Sequence, residues 1–401
     1  MNKSKRTTSA ARPAALTLIA LAGCCIGGAG RAGTAPTLRQ QIEAARATAT
    51  NPDPASSCGT ISQNRYGEND GFYWEIGDKD GIVADPASGL AAAGSVQPSG
   101  ELIPRYTRDK SMLIASSSKW VYGAYVAETR ALPGSGGWTM PASYVPFLNF
   151  TSGYDNMGDH CPAELTPTVE ACLEAPDQRG SSAVPNNTRT PADIGRFYYN
   201  SGHLEVFEGG ADPSIAGVMH GAHYDDGMLA SMIELAFAAK GVDMRLSFIA
   251  PILAGGIRTT PGDYATFLRA MLRKTDPLVM SAFLRPTGAD PYAVCTNPSD
   301  PNCVDGDGQP LAVFTPLPSD VSWHYSITHW IEDDPATGDG SYSSPGRFGF
   351  YPWIDSSKTW YGIVARFDRT KAKTTQDAPY YRSVVCGMSI RKAFMTGQAQ
   401  E

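Results

Sequence analysis

The stretch Ile114-Ala115-Ser116-Ser117-Ser118-Lys119 carries the sharpest chemical signal in the chain, and it leads into Lys119 to Thr129, a helix-length run without proline. A serine in the first turn of a helix, with lysine three residues on, puts a hydroxyl and an amine on one face. The helix N-terminus adds partial positive charge beside the hydroxyl, where an oxyanion would form. Burial near that charge disfavours a protonated lysine, so the amine can serve as a base toward Ser116. The motif by itself is common by chance, and its weight comes from its neighbours.

Working outward, Arg196-Phe197-Tyr198-Tyr199-Asn200-Ser201-Gly202 supplies a Tyr-x-Asn. A phenol beside a lysine can pass a proton to a leaving group, and an asparagine amide can position a substrate carbonyl. Tyr154-Asp155-Asn156 has the same spacing, but follows Ser116 too closely for the intervening helices and lies in a Gly-rich loop. Further on, Ser343-Ser344-Pro345-Gly346-Arg347-Phe348-Gly349 precedes an apolar strand ending Trp353-Ile354-Asp355. Glycine there lets a substrate lie against the strand edge, with a backbone N–H completing an oxyanion hole.

The order Ser-x-x-Lys, Tyr-x-Asn, Gly-containing strand resembles the serine β-lactamase and penicillin-binding-protein superfamily. The similarity is to the branch of class C β-lactamases, family VIII esterases and D-alanyl-D-alanine carboxypeptidases. Gly255-Gly256-Ile257-Arg258-Thr259-Thr260-Pro261-Gly262-Asp263-Tyr264 and Gly346-x-x-Gly349 through Ile354-Asp355 are similar to two further family stretches. The resemblance covers about residues 60 to 395. It implies an α/β fold in which an antiparallel sheet is flanked by helices, with a mainly helical second subdomain. It also implies Ser116 as acyl-accepting nucleophile, Lys119 as its base, Tyr198 as general acid/base and Asn200 as a substrate-positioning residue. The oxyanion hole would come from the N–H groups of Ser116 and Arg347. One departure bears on substrate: where β-lactamases have Lys-Thr-Gly, this chain has Ser344-Pro345-Gly346, without the cation that would meet a substrate carboxylate. Arg347, one residue on, is expected on the other face of the strand.

The expected function is therefore a serine hydrolase acting on ester or amide bonds, esterase-like, with no metal and no cofactor required. A D,D-carboxypeptidase or β-lactamase of the same fold is the alternative. A non-catalytic envelope binding or sensor lipoprotein is the reading from a different class.

The N-terminus points to export. Lys3, Lys5, Arg6 and Arg12 precede an apolar run from Ala14 to Ala22, and Leu21-Ala22-Gly23-Cys24 looks like a lipobox. On that reading residues 1–23 are a signal peptide and Cys24 carries the lipid that anchors the protein at a membrane. Cleavage near Ala32 to Ala35 is the other possibility. Residues 24–55 read as a flexible tether and 56–401 as the catalytic domain, with an α/β part over 56–120 and 320–401 and a helical part over 121–319. Six cysteines remain beyond Cys24 and Cys25, an even number suited to an oxidising compartment such as the periplasm. Spacing favours Cys161 with Cys172 and Cys295 with Cys303 as local staples, leaving Cys58 for Cys386, among fifteen formal pairings.

Of 401 residues, 42% are apolar and 18% charged, and 41 glycines with 30 prolines stay below low-complexity composition. A formal charge of −7, with no Lys/Arg block beyond the N-terminus, argues against a nucleic-acid partner. Helices are expected over Gly227 to Lys240, Pro261 to Lys274 and Tyr380 to Phe394, and strands over Trp323 to Ile331, Phe348 to Ile354 and Trp360 to Phe367. Asp305-Gly306-Asp307-Gly308 is a partial calcium-loop pattern, and His220 with His223 is a weak metal-ligand spacing.

Overall fold

Eight antiparallel strands form the main sheet, in the spatial order Val294–Cys295, His324–Ser326, His329–Glu332, Ser341–Ser343, Tyr351–Ile354, Tyr361–Ala365, Tyr73–Gly77, Ile82–Ala84. The computed structural model describes residues 35–62, 71–86, 94–96, 102–104, 106–158, 161, 166–175, 184–215 and 221–401. The expected signal peptide, Cys24 and His220 lie outside the described residues.

Alternation sets which side of the sheet each helix covers. Val364 and Tyr351 meet Gly387 of the C-terminal helix, Pro379–Thr396, at a glycine where a Cβ would stand 2.5 Å from the Tyr351 ring. On the opposite side, Tyr361 hydrogen-bonds Glu75, and the Pro261–Met271 helix packs against the Tyr361–Ala365 strand. Thr260 caps that helix by accepting from Asp263 N, and Pro261 takes its first turn, as the sequence predicts. Both faces of the sheet are thus buried, and its strands at Tyr73–Gly77 and Tyr361–Ala365 are buried throughout. The charges inside are paired: Arg391, fully buried, holds Glu332 at 2.7 Å and Asp339 at 2.7 Å.

The fold is thus of the α/β class that the sequence resemblance implies: an antiparallel sheet between helices, with a second part over it. That part holds the Ser118–Arg130, Gly202–Gly209 and Asp226–Ala238 helices and long irregular segments. Pro36–Glu401 is one compact unit. The three disulfides are Cys58–Cys386, Cys161–Cys172 and Cys295–Cys303.

Three expectations change. The second half of the tether is a helix, Leu38–Ala49, with a capping box between Thr37 and Gln40. It lies on the C-terminal helix, and Gln400 N donates to Thr48 Oγ1 at 2.8 Å. Its few, small apolar residues gave no periodic signal. The single strand expected over Trp323 to Ile331 is a hairpin, turning at Ile327 and Thr328 with φ of 37° and 66°. β-branched residues seldom adopt such angles. Here tertiary bonds impose the turn: Ile327 N donates to Asn149 Oδ1 at 2.7 Å and Thr328 N to Leu148 O at 2.9 Å. Finally, the edge strand Val294–Cys295 brings the sheet into the segment expected to be helical.

Candidate active site

Ser116 sits in a single 3-10 turn, Ala115–Ser117, that runs straight into the Ser118–Arg130 helix. Ala115 before it has φ 46°, a left-handed angle that costs a non-glycine residue about 1–2 kcal/mol. The neighbouring hydroxyls hold that turn in place. Ser117 Oγ donates to Ser344 O at 2.7 Å, Ser344 Oγ donates to Ser116 O at 3.0 Å, and Tyr264 donates to Ser117 O at 3.0 Å. Ser118 Oγ accepts from Ile257 N at 3.2 Å. The three serines of the motif therefore divide the work: one faces the cavity and two tie its turn to the rest of the fold.

Lys119 is buried, with Nζ 3.0 Å from Ser116 Oγ and 2.8 Å from Ala254 O. Its Nζ also lies 4.8 Å from the centre of the Tyr199 ring. A neutral amine that gives an N–H to Ala254 O is left with a lone pair for the Ser116 proton. A second Ser-x-x-Lys, Ser389 to Lys392, lies within the C-terminal helix with its lysine exposed. Nothing there gathers around it in the same way.

Ser116 and Lys119 open onto a cavity of about 550 Å³, whose wall also includes Tyr198, Tyr199 and Asn200. Tyr198 packs on Phe314, ring centres 5.4 Å apart. Burial, then Asp155 and Asp193, raise its phenol above the usual value, so it carries its proton at neutral pH. Asn200 Nδ2 donates to Met157 O at 3.1 Å and its Oδ1 accepts from Gly202 N at 2.8 Å, which braces the Tyr-x-Asn loop. Tyr154 of the other Tyr-x-Asn hydrogen-bonds Asp212 at 2.7 Å and does not line the cavity.

The third motif departs from its expected form. Ser344-Pro345-Gly346 follows the Ser341–Ser343 strand in a tight connection, closed by Gly349 N to Gly346 O at 2.8 Å with Gly349 at φ 101°. Strand alternation does not apply in a turn, so Arg347 joins Pro345 and Phe348 on the cavity wall instead of facing away. Gly346 is required by close approach: a Cβ there would lie 2.1 Å from Ile114 O.

Much of the wall was not legible as a site. Ile249, Ile252, Leu317 and Trp330 make it largely apolar, and among the described residues no acidic side chain lines it. Beneath it lie His203 and Glu205, both fully buried on the Gly202–Gly209 helix. Burial lowers His203 to about 3, so it is neutral, and Ser152 Oγ is 2.7 Å from its Nδ1. The sequence signal for Glu205 was present, a carboxyl among apolar helix residues. The Asp305 loop is closed on itself, Asp305 Oδ1 accepting from Asp307 N and Gln309 N. His223 pairs with Glu170 at 3.0 Å, and among the described residues no His/Cys/Asp/Glu group has metal-site geometry.

Several solved structures are similar. A β-lactamase from Mycobacterium bovis is 11% identical, over 81% of this chain and 95% of its own, with a TM-score of 0.44. Simvastatin synthase (LovD) from Aspergillus terreus is 12% identical, over 89% and 100%, with a TM-score of 0.45. EstCE1, a hydrolase with promiscuous acyltransferase activity, is 11% identical, over 87% and 98%, with a TM-score of 0.46. No family model and no curated protein matches the chain.

Proposed function

We propose that the protein is a serine hydrolase that cleaves ester or amide bonds through an acyl-enzyme on Ser116. The observation that carries this is the 3.0 Å approach of Lys119 Nζ to Ser116 Oγ on a cavity wall. Neutral Lys119 takes the Ser116 proton as Oγ attacks the substrate carbonyl, and the N–H groups of Ser116 and Arg347 receive the developing oxyanion. Tyr198, protonated at neutral pH, gives a proton to the leaving group and recovers one through Lys119. Water then attacks the acyl ester, its proton returning to the same pair, and Ser116 is released.

The largely apolar wall favours a hydrophobic acyl or leaving group, and hence esterase-like activity, while Arg347 on that wall is the cation a penicillin or peptide carboxylate would meet in the alternative reading. The disulfides are compatible with an exported protein. No helix among the described residues is long and apolar enough to cross a membrane. Anchoring at the envelope through a lipid on Cys24 completes the proposal.

The test is intact-mass labelling with a fluorophosphonate and, in parallel, a penicillin. A fluorophosphonate adduct lost in Ser116→Ala, with no penicillin adduct, is the expected result. A stable penicillin adduct would turn the reading toward a carboxypeptidase. No adduct with either probe on folded protein would overturn the nucleophile and favour a binding lipoprotein.

A further inference from the structure

Glu205 is a carboxyl with no exposed surface, placed where a helix packed on every side would ordinarily carry an apolar residue. Its Oε1 accepts from Ala254 N at 3.1 Å, and Leu253 N also hydrogen-bonds the carboxyl. Its Oε2 is buried without a hydrogen-bond partner. Ala254, whose N–H Glu205 holds, also presents the carbonyl that receives Lys119: Ala254 O lies 2.8 Å from Nζ. One chain of contacts therefore runs from Glu205 through Ala254 and Lys119 to Ser116.

We infer that Glu205 is a positioning residue for Lys119, fixing Ala254, whose carbonyl orients the amine. The inference rests on the serine-hydrolase reading of the site. A backbone amide donor needs only one acceptor there, which glutamine or a neutral carboxyl would supply equally well. Burial pushes Glu205 up to about 8, so it is neutral through the physiological range.

Among the surrounding groups, the charge of Glu208 also acts on Glu205 and raises it. Glu208, on the same helix, is bound by Arg130 and Tyr122 of the Ser118–Arg130 helix. His203, also on that helix, is neutral. The Ala250–Gly256 segment and the Val145–Leu148 helix carry no titratable side chain. Val169–Glu174, packed on the other side, contributes Glu170, paired with His223, and Glu174.

The test is the rate of fluorophosphonate labelling of Ser116 in wild type, Glu205→Gln and Glu205→Leu. Leucine removes the acceptor and should slow labelling about tenfold. Glutamine keeps the acceptor and should restore labelling to within about threefold of wild type. Leucine labelling as fast as wild type overturns the positioning role, and if Glu205→Leu does not fold, an approximately tenfold loss in Glu205→Gln overturns it. Equal labelling of Ser116→Ala and wild type would instead defeat the serine-hydrolase reading itself.

Discussion

Lys119 Nζ stands between two oxygens, 3.0 Å from Ser116 Oγ and 2.8 Å from Ala254 O. One of these is on the same helical turn and the other comes from a segment far along the chain. The first contact is local geometry. The second fixes the amine in its position beside the hydroxyl.

Lys119→Arg should therefore abolish activity while leaving the fold intact. Arginine keeps a cation and hydrogen bonds but does not deprotonate. Ester turnover is expected to fall by about 10²–10⁴-fold, as for loss of a general base, with an unchanged circular-dichroism spectrum. Activity within a factor of two of wild type would show that Lys119 is not the base.

Gly346→Ala tests the close approach behind the nucleophile. A Cβ 2.1 Å from Ile114 O forces the third-motif turn and the Ser116 turn apart. Displacement of about 1 Å at a reacting centre can cost about 100-fold. The expected outcome is a large drop in labelling rate at nearly constant Tm, read by intact mass and calorimetry.

Acid should weaken the fold through its buried histidines. His203 is lowered to about 3 and His329 to about 4 by burial, so both remain neutral in the folded chain while the unfolded chain binds protons below about 6.5. Stability is then complete above that pH and declines as pH falls toward 3, by up to about 1.4 kcal/mol per pH unit for each histidine. His203→Gln should show a shallower decline between pH 6.5 and 4 than wild type in urea titrations. Identical slopes would place the acid sensitivity elsewhere.

The Cys58–Cys386 disulfide joins residues 328 apart in sequence and ties the start of the domain to its C-terminal helix. Replacing both cysteines by alanine should cost about 2–5 kcal/mol in equilibrium unfolding. The Ser116 turn lies far from this staple in sequence, and labelling of Ser116 in the folded variant should persist.

Much of the architecture was readable because it is local. The C-terminal helix, the Pro261–Met271 helix and the Tyr351–Ile354 strand follow from apolar spacing that acts over a few positions. The Leu38–Ala49 helix was not readable as packed structure, since its small residues acquire meaning only against the C-terminal helix. The Ile327–Thr328 turn was equally hidden, because bonds from Leu148 and Asn149 override the local preference of both residues.

The site divides along the same line. Sequence alone determined that Ser116 and Lys119 share a helix face, since a three-residue spacing dictates it. It also marked Tyr198, Asn200 and Gly346 as their companions. Tertiary structure decided what surrounds them: Tyr199 under the amine, Ala254 and Glu205 behind it, Arg347 on the wall, and a largely apolar cavity. These groups come from segments separated by tens to hundreds of residues. Their distances depend on how sheet and helices close over one another, and no short-range pattern in the chain encodes that.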